Sequence, residues 1–197
     1  DEITSGFHDN LGGIHMKYKI YPDMAVYGKA LGNGTPISAI LGKKQIMQHS
    51  QDSFISSTMW TDRIGFCAAL SAINKMEKLN VQKNLVSNGK KIKAFWFKIA
   101  LKYNLDIEVS GIDSMPGFKF RNTNSEKAIT FFTQEMLNEG FLASSNFALC
   151  LAHNTKIINM YLKACDKTFK KIAFYLNNKK KIPLKGSIRD LNFKRLN

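Results

Sequence analysis

Over the first sixty positions the apolar residues come in short clusters. Met24-Ala25-Val26-Tyr27 forms one cluster and residues 36–41 another, with a glycine-rich run at 28–34 between them. Short strands tied by tight turns fit this pattern. After Thr61-Asp62 the period lengthens. Ile64, Cys67, Ala68, Leu70, Ile73, Met76 and Leu79 recur at helical spacing, and Thr61-Asp62 can cap the helix they define. A second helical stretch sets Leu85, Ile92, Phe95, Trp96 and Ile99 on one face. Strands are predicted at 105–110 and 117–121, then a helix over 125–139 stopped by Gly140 and another over 156–176. The order divides the chain into 1–80, strands then a helix, and 81–197, a compact α+β unit ending in a basic tail. Neither repeats nor low-complexity segments interrupt it.

Composition narrows the class. An apolar fraction of 44% and a charged fraction of 22% are those of an ordinary globular protein. No stretch approaches the roughly 18 uninterrupted apolar residues of a membrane span, so no membrane association is expected. Cys67, Cys150 and Cys165 are widely spaced and odd in number, which suits small buried residues in a reduced, cytoplasmic compartment. The formal net charge of +14 raises the question of nucleic acid. Its distribution answers it. Residues 1–78 carry 8 basic and 7 acidic side chains, whereas 79–197 carry 21 and 8. The excess is lysine, 25 against 4 arginines, spread over helix faces and a Lys179-Lys180-Lys181 run. Base readers favour arginine forks or aromatic platforms. A solvated surface is expected, with no nucleic-acid partner.

Candidate chemistry is concentrated early. Lys29 follows an apolar strand and Gly28, and precedes Ala30-Leu31-Gly32-Asn33-Gly34, small residues that let a flat ring approach the backbone. Alone, a lysine ending a strand is a solvated surface residue. Three segments change that: Asp1-Glu2-Ile3-Thr4-Ser5-Gly6-Phe7, then Tyr21-Pro22-Asp23, then Gly28-Lys29-Ala30-Leu31-Gly32-Asn33-Gly34-Thr35-Pro36. In order and in the 28-residue offset from Asp1 to Lys29, they resemble the signature of class III aminotransferases, most nearly the glutamate-1-semialdehyde aminomutase branch.

The resemblance implies pyridoxal 5′-phosphate (PLP) as cofactor, with Lys29 as its Schiff-base lysine and proton shuttle. Asp1 matches the aspartate that pairs with the pyridine nitrogen, and Ile3 the branched residue that packs on a ring face. In Phe54-Ile55-Ser56-Ser57-Thr58-Met59-Trp60-Thr61, Thr58 matches a threonine that reaches the phosphate of the neighbouring subunit, although Ser57 and Thr61 also carry hydroxyls. It further implies an α/β chain of the PLP-dependent transferase fold type I. Residues 1–80 would be the C-terminal part of the large cofactor-binding domain, and 81–197 a small C-terminal α+β domain. A homodimer with the site at the subunit interface, acting on small amino and keto substrates, is likewise implied. Glu135-Met136-Leu137-Asn138-Glu139-Gly140 and Leu151-Ala152-His153-Asn154 are similar to the family's small domain, where His153 would be structural or capping. His8, His15 and His49 show no partners at ligand or triad spacing, and no metal is expected.

Family chains are roughly twice as long. The strand, phosphate turn and aromatic stacker that precede the motif aspartate lie outside this sequence, so a C-terminal fragment is expected, or a decayed gene. Arg63 and Arg121 match no substrate-binding motif. Three functions stay open: an aminotransferase, an aminomutase moving the amino group within one molecule, and an inactive fragment with a basic binding surface.

Overall fold

The computed structural model describes residues 1–56, 58–121 and 123–189. Ser57 and the end of the basic tail fall outside these. The chain forms two compact units, Asp1–Val86 and Ser87–Asn197, dividing inside a long helix.

In the first unit a single helical turn, α1 (Ile14–Lys17), precedes strand β1 (Met24–Tyr27). β1 pairs antiparallel with β2 (Ala39–Gly42), Tyr27 opposite Ala39 and Met24 opposite Gly42. Another short turn, α2 (Lys44–Met47), follows, then α3 (Arg63–Lys78). Asp62 caps α3 as the sequence indicates, its Oδ1 accepting from Ile64 N at 2.9 Å.

The buried face of α3 coincides only in part with the predicted one. Ile64 and Leu70 are 66% and 63% exposed. Gly65, Ala69 and Ala72 are buried instead, and half-buried Ile73 packs against a core of Ala25, Tyr27, Leu31 and Ala69. Of the other predicted positions, Ala68 and Met76 are also half-buried, whereas Cys67 and Leu79 are exposed. Small side chains let its axis approach the β1 layer, leaving the large ones outward.

A polar hub fixes the chain ahead of β1. Glu2 N donates to Val26 O at 2.8 Å, and Gly6 N to Glu2 O at 2.8 Å. The buried Glu2 carboxylate accepts from the Ser5 hydroxyl, from His15 N at 3.0 Å and from His15 Nδ1 at 2.9 Å. Burial pushes this carboxyl up, but the hydrogen bonds outweigh it and bring it from the usual 4.5 to about 2. Nearby, Lys17 reaches the Asp9 carboxylate, whose side chain is fully buried, at 2.7 Å. From the far end of the unit, Gln82 donates to Phe7 O at 3.0 Å.

The second unit takes the C-terminal part of α4 (Val81–Lys102), the antiparallel hairpin β3 (Ile107–Ser110) and β4 (Gly117–Phe120), α5 (Ser125–Asn138) and α6 (Thr155–Asn177). Aromatic rings fill its centre: Phe118 lies 4.9 Å from Trp96, 5.1 Å from Phe132 and 5.4 Å from Phe169, centroid to centroid. The predicted stop at Gly140 holds. Its φ is +86° and Phe141 N returns to Met136 O. Asn154 caps α6 through Ile157 N at 3.0 Å. Of the three cysteines expected inside, only Cys165 is buried, its thiol pushed up to about 12 by desolvation; Cys67 and Cys150 are exposed. Among the described residues no helix is long and apolar enough to cross a membrane.

Two predictions follow from these contacts. A Cβ at Gly89 of α4 would sit 1.5 Å from the Asp113 carbonyl oxygen. Gly89→Ala therefore costs about 1–3 kcal/mol or more by overpacking, exceeding the roughly 1 kcal/mol gained in helix propensity. A lowered urea midpoint is expected, and an unchanged one contradicts the contact. For Glu2, a depressed carboxyl contributes stability that is complete above its unfolded value of 4.5 and is lost as pH falls toward 2. The contribution is on the order of 3 kcal/mol. The difference in urea midpoint between wild type and Glu2→Gln should shrink from pH 4.5 to pH 2, which a pH series of melts measures.

Candidate active site around Lys29

β1 ends at Tyr27, and the chain then turns sharply. Gly28 is extended, with φ −166° and ψ −154°, and Lys29–Leu31 form a single 3-10 turn. Lys29 itself has φ +44°, in the left-handed region that L residues avoid. The strain, of order 1 kcal/mol or more, is held by surrounding bonds. Leu31 N donates to Gly28 O at 3.0 Å, Gly32 N and Asn33 N both return to Lys29 O, and Leu31 is buried. The lysine is thus fixed at its backbone while its side chain is exposed.

Lys29 Nζ donates to Thr4 Oγ1 at 2.7 Å. No carboxylate lies within ion-pair reach of it among the described residues. Beside it runs the Asp1–Thr4 stretch, residues 1–4, pinned to β1 through Glu2 N and Val26 O. Asp1 is exposed, and its Oδ1 accepts from Ile3 N at 2.8 Å. This local turn orients the carboxylate without burying it. Ile3 lies against Gly28: a Cβ there would be 3.4 Å from Ile3 Cγ2. Ile3 and Thr4 are thus brought against the turn of Gly28 and Lys29, with Asp1 two residues before Ile3 in the same pinned stretch. Thr58 is exposed in the turn before α3, and no hydrogen bond among the described residues links it to them. Nor does Thr58 cap α3, a task that falls to Asp62.

Four residues near this site were not singled out by sequence. Thr4 holds the lysine amine. Glu2 and His15 form the buried hub, with His15 Nδ1 2.9 Å from Glu2 Oε1. His8 is half-buried, its Nδ1 without a hydrogen-bond partner. Burial pushes the His8 imidazole down, Asp9 opposes this, and the nearby Lys29 ammonium adds to it. A motif glutamate beside the aspartate was the available signal for Glu2; nothing in the spacing pointed to His15. In the other unit, His153 accepts from Cys150 N at 3.0 Å and packs edge-on to Phe147. It closes the turn before α6, as a structural residue would.

Comparison with known proteins identifies the family and the fold. Residues 1–160 match the family described as aminotransferase class-III. The 3-aminobutyryl-CoA aminotransferase of Cloacimonas acidaminovorans (strain Evry) is 27% identical over 178 residues, covering 87% of this chain and 43% of that one. Among solved structures, the FumI protein of Sphingopyxis sp. MTA144, in its PLP internal aldimine form, superposes with a TM-score of 0.82 at 22% identity. That match covers 90% of this chain and 43% of FumI. An omega-transaminase from Sphaerobacter thermophilus gives 0.77 at 15% identity, covering 88% and 44%. The fold is thus that of type I aminotransferases, and the chain spans less than half the length of these relatives. The chain, matched over residues 1–160, belongs to the class-III aminotransferase family, whose cofactor is pyridoxal 5′-phosphate.

Proposed function

We propose that the complete protein is a PLP-dependent aminotransferase for small amino and keto substrates, with Lys29 as the covalent anchor of the cofactor. The observation that carries this reading is the exposed Lys29 amine, its backbone locked in a strained turn, beside the pinned Asp1–Ile3 segment, residues 1–3. The residues fit the group. An amine free of carboxylates can attack an aldehyde, an exposed carboxylate stands near, and a branched apolar side chain flanks Gly28.

When bound, PLP supplies an electrophilic aldehyde and a ring that accepts electrons from the substrate's reacting carbon. Lys29 Nζ then holds the cofactor and, once released, takes a proton from the substrate carbon and returns it. Asp1 keeps the proton on the ring nitrogen, because an adjacent carboxylate favours the charged form. Ile3 covers one ring face, and Thr58 donates to the phosphate held by a neighbouring subunit. Thr4, already on Nζ, orients the amine.

The finer reading is that of the aminomutase branch, favoured by the run Gly28-Lys29-Ala30-Leu31-Gly32-Asn33-Gly34. Turnover without any added amino donor separates it from an aminotransferase. In this reading residues 1–80 complete a large cofactor domain, 81–197 form the small α+β domain, and the enzyme is cytoplasmic. A homodimer is part of the proposal. Phe54, Trp60 and Phe66 are 97%, 61% and 59% exposed in the first unit, an apolar surface that asks for a cover.

Full-length protein should develop a visible-edge absorbance band with PLP, and Lys29→Ala should lose it together with about 10²–10⁴-fold or more in kcat/KM. A band that persists in the variant removes the assignment. Sedimentation of the full-length protein should give a dimer that Trp60→Asp with Phe66→Asp dissociates; a monomeric wild type rejects the interface.

A further inference from the structure

We propose that Glu2 is a positioning residue for the Lys29 site, setting the separation of Asp1 and Lys29 through the segments its backbone and carboxylate tie together. The inference rests on the aminotransferase reading above and concerns a residue that would not touch the cofactor.

The geometry runs as one chain of contacts. Through its N–H, Glu2 grips Val26 in β1, three residues before Lys29. Through its carbonyl it receives Gly6 N, closing the turn that carries Ser5. Its Oε2 accepts from the Ser5 hydroxyl, and its Oε1 from both His15 N and His15 Nδ1, at 3.0 Å and 2.9 Å. One buried residue thereby joins the Asp1 turn, the 5–7 turn, the first turn of α1 and the strand leading to Lys29. Asp1 and Ile3 flank it in sequence and Thr4 follows, so Ile3 against Gly28, Thr4 on Lys29 and the Asp1 turn all inherit their placement from Glu2. Around the carboxylate, the ionisable groups are His15 and, from β1, Tyr27, whose hydroxyl is pushed up by burial and by Glu2 itself.

An ionised carboxylate suits this role better than any neutral side chain. It accepts three donors from one direction, whereas an amide of the same shape offers one acceptor oxygen and turns an N–H₂ toward donors. Buried donors left without an acceptor would pull the turn apart. The carboxyl's fall to about 2 keeps the hub charged throughout the range in which an aminotransferase would work. Displacement by a fraction of an ångström is enough to matter, because proton transfer from Lys29 requires close alignment.

The experiment uses full-length protein as wild type, Glu2→Gln, His15→Gln, the double variant and Ser5→Ala. Binding of PLP to the apo-protein, the position of the visible band, kcat and KM are measured beside thermal melting. Glu2→Gln is expected to weaken PLP binding about tenfold, shift the band and lower kcat more than KM. The double variant should add little to Glu2→Gln, since both remove one network. Ser5→Ala, which takes away a single donor, should move the same readouts by about two- to fivefold and covers the case in which Glu2→Gln fails to fold. A Glu2→Gln or Ser5→Ala protein that melts earlier yet binds PLP with wild-type affinity and an unshifted band reduces Glu2 to a structural residue. Additive effects of Glu2 and His15 overturn the shared hub. A wild type that takes up no PLP defeats the aminotransferase reading instead, which distinguishes the two failures.

Discussion

The bond from Glu2 N to Val26 O is short in space and long in consequence. It brings the opening residues alongside β1, and the turn at the end of that strand delivers Lys29 next to Thr4. Without it the Asp1 carboxylate has only its own Ile3 N–H as an orienting contact. A single backbone hydrogen bond contributes little on its own, about 1 kcal/mol net. Its force comes from the buried carboxylate of the same residue, which has three further donors and cannot leave without stranding them. Charge, burial and strand pairing converge there, and the candidate chemistry sits one step away.

Much of the fold was legible in the sequence, for reasons visible residue by residue. Asp62 and Gly140 mark helix ends through local geometry, so their signals survive any tertiary context. The face of α3 is legible only in part because large apolar residues carry the periodic signal, whereas the buried positions are Gly65, against Ile37, Ala69, in the cluster with Ala25 and Tyr27, and Ala72. Glycine and alanine hardly register as an apolar stripe. Cys67 and Cys150 follow the same lesson: residue type suggests burial, but position decides it.

At the site, Asp1, Ile3 and Lys29 could be singled out as candidates because a motif carries spacing along with identity. His15 could not. It lies 13 residues from Glu2 on a one-turn helix, and no periodic rule predicts that approach. Strain at Lys29 was equally invisible, since positive φ depends on how the turn is closed by Gly28, Gly32 and Asn33. The lysine-rich second unit behaves more simply. Lys171 with the buried Glu135 of α5 and Lys167 with Glu139 at its end tie α6 to α5 at 2.6 Å and 2.7 Å; the more exposed second pair contributes little. With 21 basic and 8 acidic residues after position 78, most of the lysines remain a solvated field.

The left-handed backbone of Lys29 bears on the history of the chain. Glycine, and to a lesser degree asparagine, adopts φ near +44° far more readily than lysine. A sequence drifting free of its chemistry would therefore move downhill in energy, by about 1 kcal/mol, simply by losing this side chain. Stability and the proposed chemistry therefore make opposite demands on this one position.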